Sequence, residues 1–357
     1  MDERAAIVVP TIREENLLTF LDVWRNEFAA HVVIIVEDNP EPTFQVRGTN
    51  VKHYSWRDID AELGKDSWII PRRTDCVRSF GYLKAYQEKV DFIVTLDDDC
   101  YPAGDGFLRS HYSRLIAPAE SDAWVSTGTG VMPRGIPYYS RTRKNECVLN
   151  HGLWSVIPDY DAITQLANSR FNQRFVANNA VLPKGVFFPM CGMNVALKPK
   201  VIPAFYFLLM GKHWPFDRFG DIWCGLFLKK ICDHLGYAIC SGEPIVEHRR
   251  ASNVWTNLRK ELPGYEVNET LWNMVDSTVL TGSTVAECYA ELAQKLTLAG
   301  EYWEKLRLAM SIWANLFPRE ADQTAETASA QCVEATPCHT GPAAALLFNS
   351  SSSREAT

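Results

Sequence analysis

A short apolar segment that ends in three consecutive acids is the feature that most constrains the fold of this chain. Phe92 to Leu96 is rich in β-branched and aromatic residues, and Asp97 to Asp99 follow at once. Such a segment is typical of a strand buried on both faces, whose last residues emerge at the sheet edge. Open α/β sheets bind ligands at the carboxyl ends of their strands. The segment therefore predicts an α/β fold with an acidic ligand site.

Three adjacent carboxylates repel one another unless a cation binds them or water screens them fully. Hard oxygen ligands suit Mg²⁺ or Mn²⁺, and the spacing of Asp97 and Asp99 is the Asp-x-Asp turn that nucleotide-sugar transferases use beside a diphosphate. We expect Asp97 and Asp99 to bind a metal, with Asp97 and Asp98 beside a nucleotide sugar. The alternative is a solvated acidic turn.

The composition is that of an ordinary soluble globular protein. The 357 residues are 46% hydrophobic and 22% charged, with room for one large α/β domain or two smaller ones. A net charge of -7 without a basic block argues against nucleic acid as the main partner. The first apolar segment is too short for a signal peptide or a membrane span, which predicts a cytoplasmic location. Ten cysteines without Cys-x-x-Cys spacing are expected to be reduced and buried.

The first forty residues read as strand, helix and strand. Apolar residues from Ala5 lead to Pro10 and Thr11, helical spacing follows from Glu14 to Phe28, and a second apolar run precedes Asp38. A right-handed unit of this kind opens nucleotide-binding half-folds, and the absence of Gly-x-Gly-x-x-Gly argues against a dinucleotide. We expect Pro10, Thr11 and Asp38 to cradle a base and ribose. Asp38 is alternatively a turn residue.

Phosphate and sugar contacts are expected from the middle of the chain. Arg78 lies in a predicted helix from Arg72 to Tyr86, where its guanidinium suits a diphosphate, unless it is a surface arginine. His151, Trp154 and Asp159 combine flat rings with a carboxylate, as sugar pockets do, although a capped turn would look similar.

Three further positions have a structural alternative beside the functional one. Gly192 interrupts a predicted strand, where a backbone can approach a ligand closely. Asp221 begins a predicted helix, either as its cap or as a catalytic group that holds hydroxyls or stabilises positive charge at an anomeric carbon. His248 ends a short strand and either completes the metal shell or is satisfied locally.

The rest of the chain supports a division into three parts. Trp124 to Gly128 is predicted as a strand, and the aperiodic segment from Gly128 to Asn150 as a functional loop. Two amphipathic helices are predicted from Ser283 to Phe317. We predict a catalytic domain over 1–250, a helical extension over 251–318 that packs on it, and a disordered tail over 319–357.

Several strings in this chain are long and unusual, and through them it resembles the reversibly glycosylated polypeptide family, whose members include UDP-arabinopyranose mutases. The matching strings, in family order, are Leu96-Asp97-Asp98-Asp99-Cys100, His151-Gly152-Leu153-Trp154, Ile157-Pro158-Asp159-Tyr160-Asp161-Ala162, Phe188-Pro189-Met190-Cys191-Gly192-Met193-Asn194, Asp221-Ile222-Trp223 and Ile231-Cys232-Asp233-His234-Leu235-Gly236. The resemblance implies a GT-A-like fold, with a mostly parallel sheet flanked by helices and with C-terminal helices. It also implies a UDP-sugar ligand, Mn²⁺ or Mg²⁺ at the acidic triplet, and Asn194 among the ligand-binding residues.

The family also has an arginine that becomes glycosylated and is linked to mutase activity. Counting from Gly135 places Arg141 at that position, which implies a catalytic role for Arg141, with Arg143 as the alternative.

Three hypotheses follow for the function. The first is an enzyme that interconverts the pyranose and furanose forms of a UDP-sugar, with UDP-arabinose as the expected sugar. The second is a metal-dependent glycosyltransferase that delivers the sugar to an acceptor or to itself. The third is a non-catalytic subunit that binds a related active chain through the C-terminal helices. A homo- or hetero-oligomer with related chains is expected.

Overall fold

The computed structural model describes residues 3–46, 48, 50–125, 134–137, 139–168, 180–249 and 253–318. The predicted disordered tail and the end of the predicted strand at Trp124 to Gly128 lie outside these ranges. The described strands are β1 (Ala5–Thr11), β2 (Val32–Glu37), β3 (Val51–Tyr54), β4 (Phe92–Leu96), β5 (Cys100–Pro102), β6 (Pro118–Asp122), β7 (Thr142–Val156), β8 (Ala180–Val181), β9 (Asn194–Leu197) and β10 (Ala238–His248). The described α-helices are α1 (Glu14–Val23), α2 (Arg25–Phe28), α3 (Trp56–Leu63), α4 (Arg78–Gln87), α5 (Phe107–Ile116), α6 (Ala162–Ala167), α7 (Gly220–Leu235), α8 (Val254–Ser277), α9 (Val285–Lys295) and α10 (Glu301–Asn315).

The strands form one mixed sheet in the order β3-β2-β1-β4-β9-β7-β10-β5, with β6 paired to β7 and β8 paired to β10. The first four strands in this order are parallel, and β7 is parallel to β10, whereas β9 and β5 run antiparallel to their neighbours. β9 is antiparallel to both β4 and β7, so the carboxyl ends of β4 and β7 lie at the same edge. This mostly parallel sheet is compatible with the expected GT-A-like fold.

Apolar residues fill both faces of the sheet, which explains why β1 and β4 are buried along their whole length. One face is covered by α4, α7, α9 and α10, and the other by α1, α2 and α5. The expected amphipathic pair at the carboxyl terminus is confirmed as α9 and α10. Residues through Phe317 form one compact unit. The division at residue 250 stays a prediction.

Two predictions about the segment after α5 are wrong. Trp124 and Val125 lie outside any strand and are 45% and 85% exposed, because the strand there is β6, five residues of which only Ala119 is buried. The predicted aperiodic loop over Gly128 to Asn150 ends early, because β7 begins at Thr142.

No helix among the described residues is long and apolar enough to cross a membrane. The eight cysteines that the structure describes are all buried free thiols, as expected.

Candidate functional site

The acidic triplet lies at the sheet edge where β1, β2, β4, β7 and β10 end. The Thr11 hydroxyl, at the end of β1, donates to Asp98 Oδ2 at 2.6 Å. The backbone N–H of Arg249, just after β10, donates to the Asp99 carbonyl at 2.9 Å. The triplet is therefore fixed to strands on both sides of β4.

Two arginines neutralise the first two acids of the triplet. Arg78 Nη2 lies 2.5 Å from Asp97 Oδ1, and Arg13 forms a two-nitrogen ion pair with the carboxylate of Asp98. Burial acts to raise the pKa of Asp97, but the attraction of the Arg78 guanidinium outweighs it and leaves that pKa lowered. Arg13 and Arg78 thus make a buried cluster of carboxylates possible without any other cation.

The third acid of the triplet faces a histidine. Burial and the charge of Asp97 raise the pKa of Asp99 to about 6, and His248 Nε2 lies 3.8 Å from Asp99 Oδ1. His248 Nδ1 lies 3.0 Å from the Ile157 carbonyl, which can only accept, so Nδ1 carries a hydrogen. In the neutral ring the Nε2 lone pair then points toward the carboxylate, and a carbonyl behind the ring is the usual support of a metal-binding histidine.

The residues present fit a hard divalent cation between Asp99 and His248. Within the ranges that the structure describes, no three His, Cys, Asp or Glu side chains stand close enough to hold a metal by themselves. Mg²⁺ and Mn²⁺ usually keep waters and bind through one or two protein carboxylates and the phosphates of a substrate. A cation here would therefore depend on a bound diphosphate.

The guanidinium of Arg78 donates hydrogen bonds to other groups of the protein. Arg78 is 2% exposed, and its guanidinium packs over the ring of Phe207. Its nitrogens donate to Asp97, to the Thr95 hydroxyl at 3.1 Å and to the Gly192 carbonyl at 2.8 Å. This arrangement favours a residue that positions Asp97 and Gly192 over one that contacts a diphosphate directly.

The expected base and ribose contacts lie together at the ends of β1 and β2. Asp38 is buried, and its Oδ1 accepts from Trp56 Nε1 at 2.7 Å and from the Arg73 N–H at 2.9 Å. Its own N–H donates to the carbonyl of Thr11. Pro10 is fully enclosed in β1. Asp38 thus fixes the loop that presents Trp56 and Arg73, and the nucleotide contact stays a prediction.

A second cluster of carboxylates, Asp159 and Asp221, lies around Gly192. Arg78 connects this cluster to the triplet, because it donates both to the Gly192 carbonyl and to Asp97. The Gly192 N–H donates to Asp221 Oδ2 at 2.9 Å, and the Cys191 thiol donates to Asp159 Oδ2 at 2.5 Å. A Cβ on Gly192 would lie 2.7 Å from the Phe207 ring. The close approach predicted at this glycine is therefore with the protein interior, and it brings Asp221 and Asp159 to the same edge as Asp97.

Asp221 lies at the start of α7, and its pKa is raised well above the ordinary value of an aspartate. It is the second residue of α7 and not its cap, and its Oδ1 accepts from the Ile222 N–H at 2.9 Å. Burial and the charges of Asp75 and Asp159 raise the pKa of Asp221 to about 7. A carboxyl group with this pKa can both donate and accept a proton near neutral pH.

Four of the five described non-glycine residues with a positive φ lie near the same edge, and the fifth, Lys89, lies in the turn after α4. Arg73, Val156, Leu208 and Arg218 all have a positive φ between 58° and 73°. For the β-branched Val156, at the end of β7, this conformation is a clear outlier. Such residues gather where a site over-determines the backbone, which supports a functional assignment of this edge.

Two of the expected ligand contacts, His151 and Asn194, lie deeper in the protein, and a third, Trp154, lies beside them. His151 is 2% exposed, its Nε2 accepts from the Cys191 N–H at 3.3 Å, and burial lowers its pKa to about 4. The Asn194 amide donates to the carbonyls of Leu153 and Pro244 and accepts from His111, which favours a structural role. Trp154 is half-buried and meets His151 edge-on, nearer to the surface.

The structure does not bring Arg141 together with these residues. Arg141 precedes β7 and its carbonyl accepts from Ala123, whereas the carboxyl end of β7 pairs with the end of β10 at the acidic edge. The 15 residues of β7 span roughly 45 Å at ~3.3 Å per residue. Arg141 is therefore exposed at the edge opposite the carboxylates, and Arg143 shares this end of the strand.

Four contributors to the site were not singled out from the sequence. They are Arg13, Asp75, Cys191 and Arg218. Arg13 follows the end of a buried strand by two residues, a position that could have marked it as a partner of the triplet. Arg218 is held by Glu261 of α8 at 2.9 Å, a contact between residues 43 positions apart that no local pattern indicates.

Comparisons with known proteins agree on one family. A family model described as reversibly glycosylated polypeptide matches residues 1–321. UDP-arabinopyranose mutase 1 of Arabidopsis thaliana is 38% identical over 330 residues, which cover 86% of this chain and 90% of that protein. A probable UDP-arabinopyranose mutase 1 of Pisum sativum is 36% identical, covering 92% of this chain and 94% of that protein. UDP-arabinopyranose mutase 1 of Oryza sativa subsp. japonica is 37% identical, with 86% and 88% covered.

Proposed function

We propose that this chain, which belongs to the reversibly glycosylated polypeptide family, is an enzyme that interconverts the pyranose and furanose forms of a UDP-sugar. The proposed substrate is UDP-arabinose. The relatives that carry the name UDP-arabinopyranose mutase match it over most of its length. The observation that carries the proposal is that two clusters of carboxylates lie at the same edge of the sheet. The triplet suits a diphosphate with its cation, and Asp159 and Asp221 suit sugar hydroxyls.

The nucleotide is proposed to lie across the ends of β1, β2 and β4. Asp38, Trp56 and Thr11 support the base and ribose side. Asp99 and His248 would hold Mn²⁺ or Mg²⁺ beside the diphosphate, and such a cation neutralises the charge of UDP when the sugar leaves it. Arg78 keeps Asp97 ionised and in place.

The sugar is proposed to lie beside Gly192, between Asp221 and Asp159. Ring interconversion breaks the bond between the anomeric carbon and the UDP oxygen, and the oxygen keeps the electron pair. A different sugar hydroxyl then attacks the anomeric carbon and closes the new ring. When the UDP oxygen attacks the same carbon again, the bond from that carbon to the former ring oxygen breaks and that oxygen keeps the electron pair, so nothing is oxidised or reduced. The ring hydroxyl must lose a proton and the former ring oxygen must gain one, and the Asp221 carboxyl can carry out both transfers.

The first test is incubation of the purified protein with UDP-arabinopyranose and, separately, UDP-glucose, followed by separation of the products. A new nucleotide sugar from UDP-arabinopyranose is expected. Free UDP with labelled protein or acceptor would indicate a glycosyltransferase instead, and no turnover would indicate a binding subunit. Asp221→Asn should lower kcat by about 10²-fold to 10⁴-fold, the usual contribution of a general acid-base group. Asp276→Asn, at an exposed position of α8, is the matched control and should keep its activity.

The metal is tested by the affinity for UDP, measured by calorimetry in Mn²⁺ and in EDTA. We expect UDP to bind more weakly in EDTA, and Asp99→Asn to bind UDP equally weakly in both, because the hard carboxylate ligand is lost. Glu247→Gln is the control. Glu247 precedes His248 in the chain and pairs with Arg249 at the surface, so this variant should keep the metal dependence of UDP binding. If the unmodified protein binds UDP equally well in Mn²⁺ and in EDTA, Asp99 and His248 hold no cation.

The role of Arg141 stays a prediction from the resemblance. Within one chain it would have to act from the far end of β7, so the chemistry proposed above does not use it. Association with copies of this chain or with related chains, and a cytoplasmic location, likewise stay predictions.

A further inference from the structure

A large cavity lies along the exposed face of α5, away from the acidic triplet and from Asp159 and Asp221. Its volume is about 1080 Å³. The residues that matter here are Glu27, Arg109, Ser113, Arg114, Val181 and Cys240. None of the triplet residues lines this cavity, and the proposed sugar and nucleotide contacts do not use it. The cavity gives a small molecule a path to the thiol of Cys240.

A second thiol lies directly behind Cys240. Cys147 on β7 donates to the sulfur of Cys240 on β10, and the two sulfur atoms are 3.2 Å apart. The neighbouring strands shift their pairing between Ala238 and Ile239, next to Cys147. Cys147 is 1% exposed and is absent from the lining of the cavity, whereas Cys240 is 8% exposed and forms part of it. One thiol of the pair thus faces the cavity and the other faces the interior.

The surroundings of Cys240 differ from those of the other cysteines. The hydrogen bond from Cys147 and the positive charge of Arg114 lower the pKa of Cys240, although burial opposes them. The other seven cysteines in the described residues all have a raised pKa. The thiolate is the nucleophilic form of cysteine, so the accessible member of the pair is also the more reactive one.

We propose that Cys240 and Cys147 form a redox-active dithiol, which a hydroperoxide that enters the cavity along α5 oxidises to a disulfide. The Cys240 thiolate attacks the peroxide oxygen, the O–O bond breaks, and the departing hydroxide or alkoxide takes a proton. Cys240 is then a sulfenic acid. The Cys147 sulfur attacks the Cys240 sulfur and expels water. In sum, two thiols and one hydroperoxide give one disulfide, one water and one further molecule of water or alcohol.

The second step needs the two sulfur atoms to approach and the backbone to adjust, because Cys147 pairs with Ala238, two residues before Cys240. A disulfide has a sulfur–sulfur distance of about 2.05 Å, so the two atoms must approach by roughly 1.2 Å. The irregular pairing of β7 and β10 at this point gives the backbone room to adjust. The product would be a covalent link between two neighbouring strands of the central sheet.

The test uses the full-length reduced protein, exposed to hydrogen peroxide, then alkylated after unfolding and digested for mass spectrometry. We expect a peptide that joins Cys147 to Cys240, two hydrogen atoms lighter than the sum of the reduced peptides and cleaved by dithiothreitol. In Cys147→Ser, Cys240 should accumulate as a sulfenic acid that dimedone traps. In Cys240→Ser, Cys147 should remain unmodified. Cys288→Ser, at a buried position on the other face of the sheet, should form the link at the normal rate.

A variant that keeps both thiols tests the path of entry. Ser113 is exposed and lines the cavity, so Ser113→Trp should slow formation of the link several-fold without loss of folding, as checked by circular dichroism. The proposal is overturned if peroxide modifies Cys191 or other thiols while Cys147 and Cys240 stay reduced. It is also overturned if Cys147 is oxidised as fast in Cys240→Ser as in the unmodified protein. An unchanged rate in Ser113→Trp would exclude entry through the cavity.

Discussion

At the level of single residues, Asp221 gives the site its most testable property. Its pKa is about 7 in the folded protein, against an ordinary 3.8. Between these two values the folded protein keeps a proton that the unfolded chain releases. The contribution of Asp221 to the free energy of unfolding therefore falls as the pH rises from about 4 to about 7. We subtract the free energy of unfolding of Asp221→Asn from that of the unmodified protein. We expect this signed difference to be smaller at pH 8 than at pH 5.

Urea unfolding at a series of pH values measures this difference directly. Asp276→Asn is exposed and should show a difference from the unmodified protein that does not depend on pH. If the Asp221→Asn difference were flat from pH 5 to pH 8, the carboxyl group would be ionised throughout, and its proposed role in moving protons would fail with it.

Residue types and positions at strand ends predicted much of this site, and long-range partners account for the rest. Asp97 to Asp99 follow a buried strand, so their place at the sheet edge follows from local sequence. The ion pair between Arg13 and Asp98 joins residues 85 positions apart, and the pairing of β1 with β4 decides it. Asn194 is the reverse case, because the resemblance implied a ligand contact while its amide serves the buried network with His111.

At the level of elements, β7 shows why part of the fold could not be predicted. Its first third, Thr142 to Glu146, pairs with β6 and is largely exposed, so it has neither an apolar run nor an alternating pattern. From Cys147 the strand enters the sheet and becomes buried. Periodicity reports burial and not backbone pairing, so the exposed third of the strand has the sequence pattern of a loop. The error also concealed that β7 separates Arg141, just before its first residue, from Val156 at its other end.

His248 and His111 have different roles, and contacts with distant parts of the chain determine both. His248 ends β10, and the Ile157 carbonyl orients its ring toward Asp99. His111 lies on α5, with its ring between Asn194 and Asn150, and burial lowers its pKa to about 3. His111 therefore serves as a neutral link between a helix and two strands. The partners that separate these roles lie 91 positions from His248 and 83 positions from His111, so no local pattern indicates them.

At the level of the whole molecule, the C-terminal helices belong to the same core that supports the site. Trp313 of α10 is fully buried, stacks on Tyr206 at 5.2 Å between ring centres, and donates to the Ile202 carbonyl at 3.2 Å. The chain continues from Tyr206 to Phe207, whose ring lies under Arg78 and against Gly192. Contacts thus connect α10 to the carboxylate edge through a few packed side chains.

This packing predicts a large loss of stability when Trp313 is truncated. Trp313→Ala should lower the free energy of unfolding by about 3–5 kcal/mol, the usual cost of removing a buried aromatic side chain. Trp272→Ala removes the same side chain at a position of α8 that is 44% exposed, and should cost far less. Urea unfolding of both variants gives the comparison. If both variants lost the same free energy, or if a fragment of residues 1–250 unfolded as cooperatively and at the same urea concentration as the full chain, the helices after residue 250 would be an appendage and not part of the core.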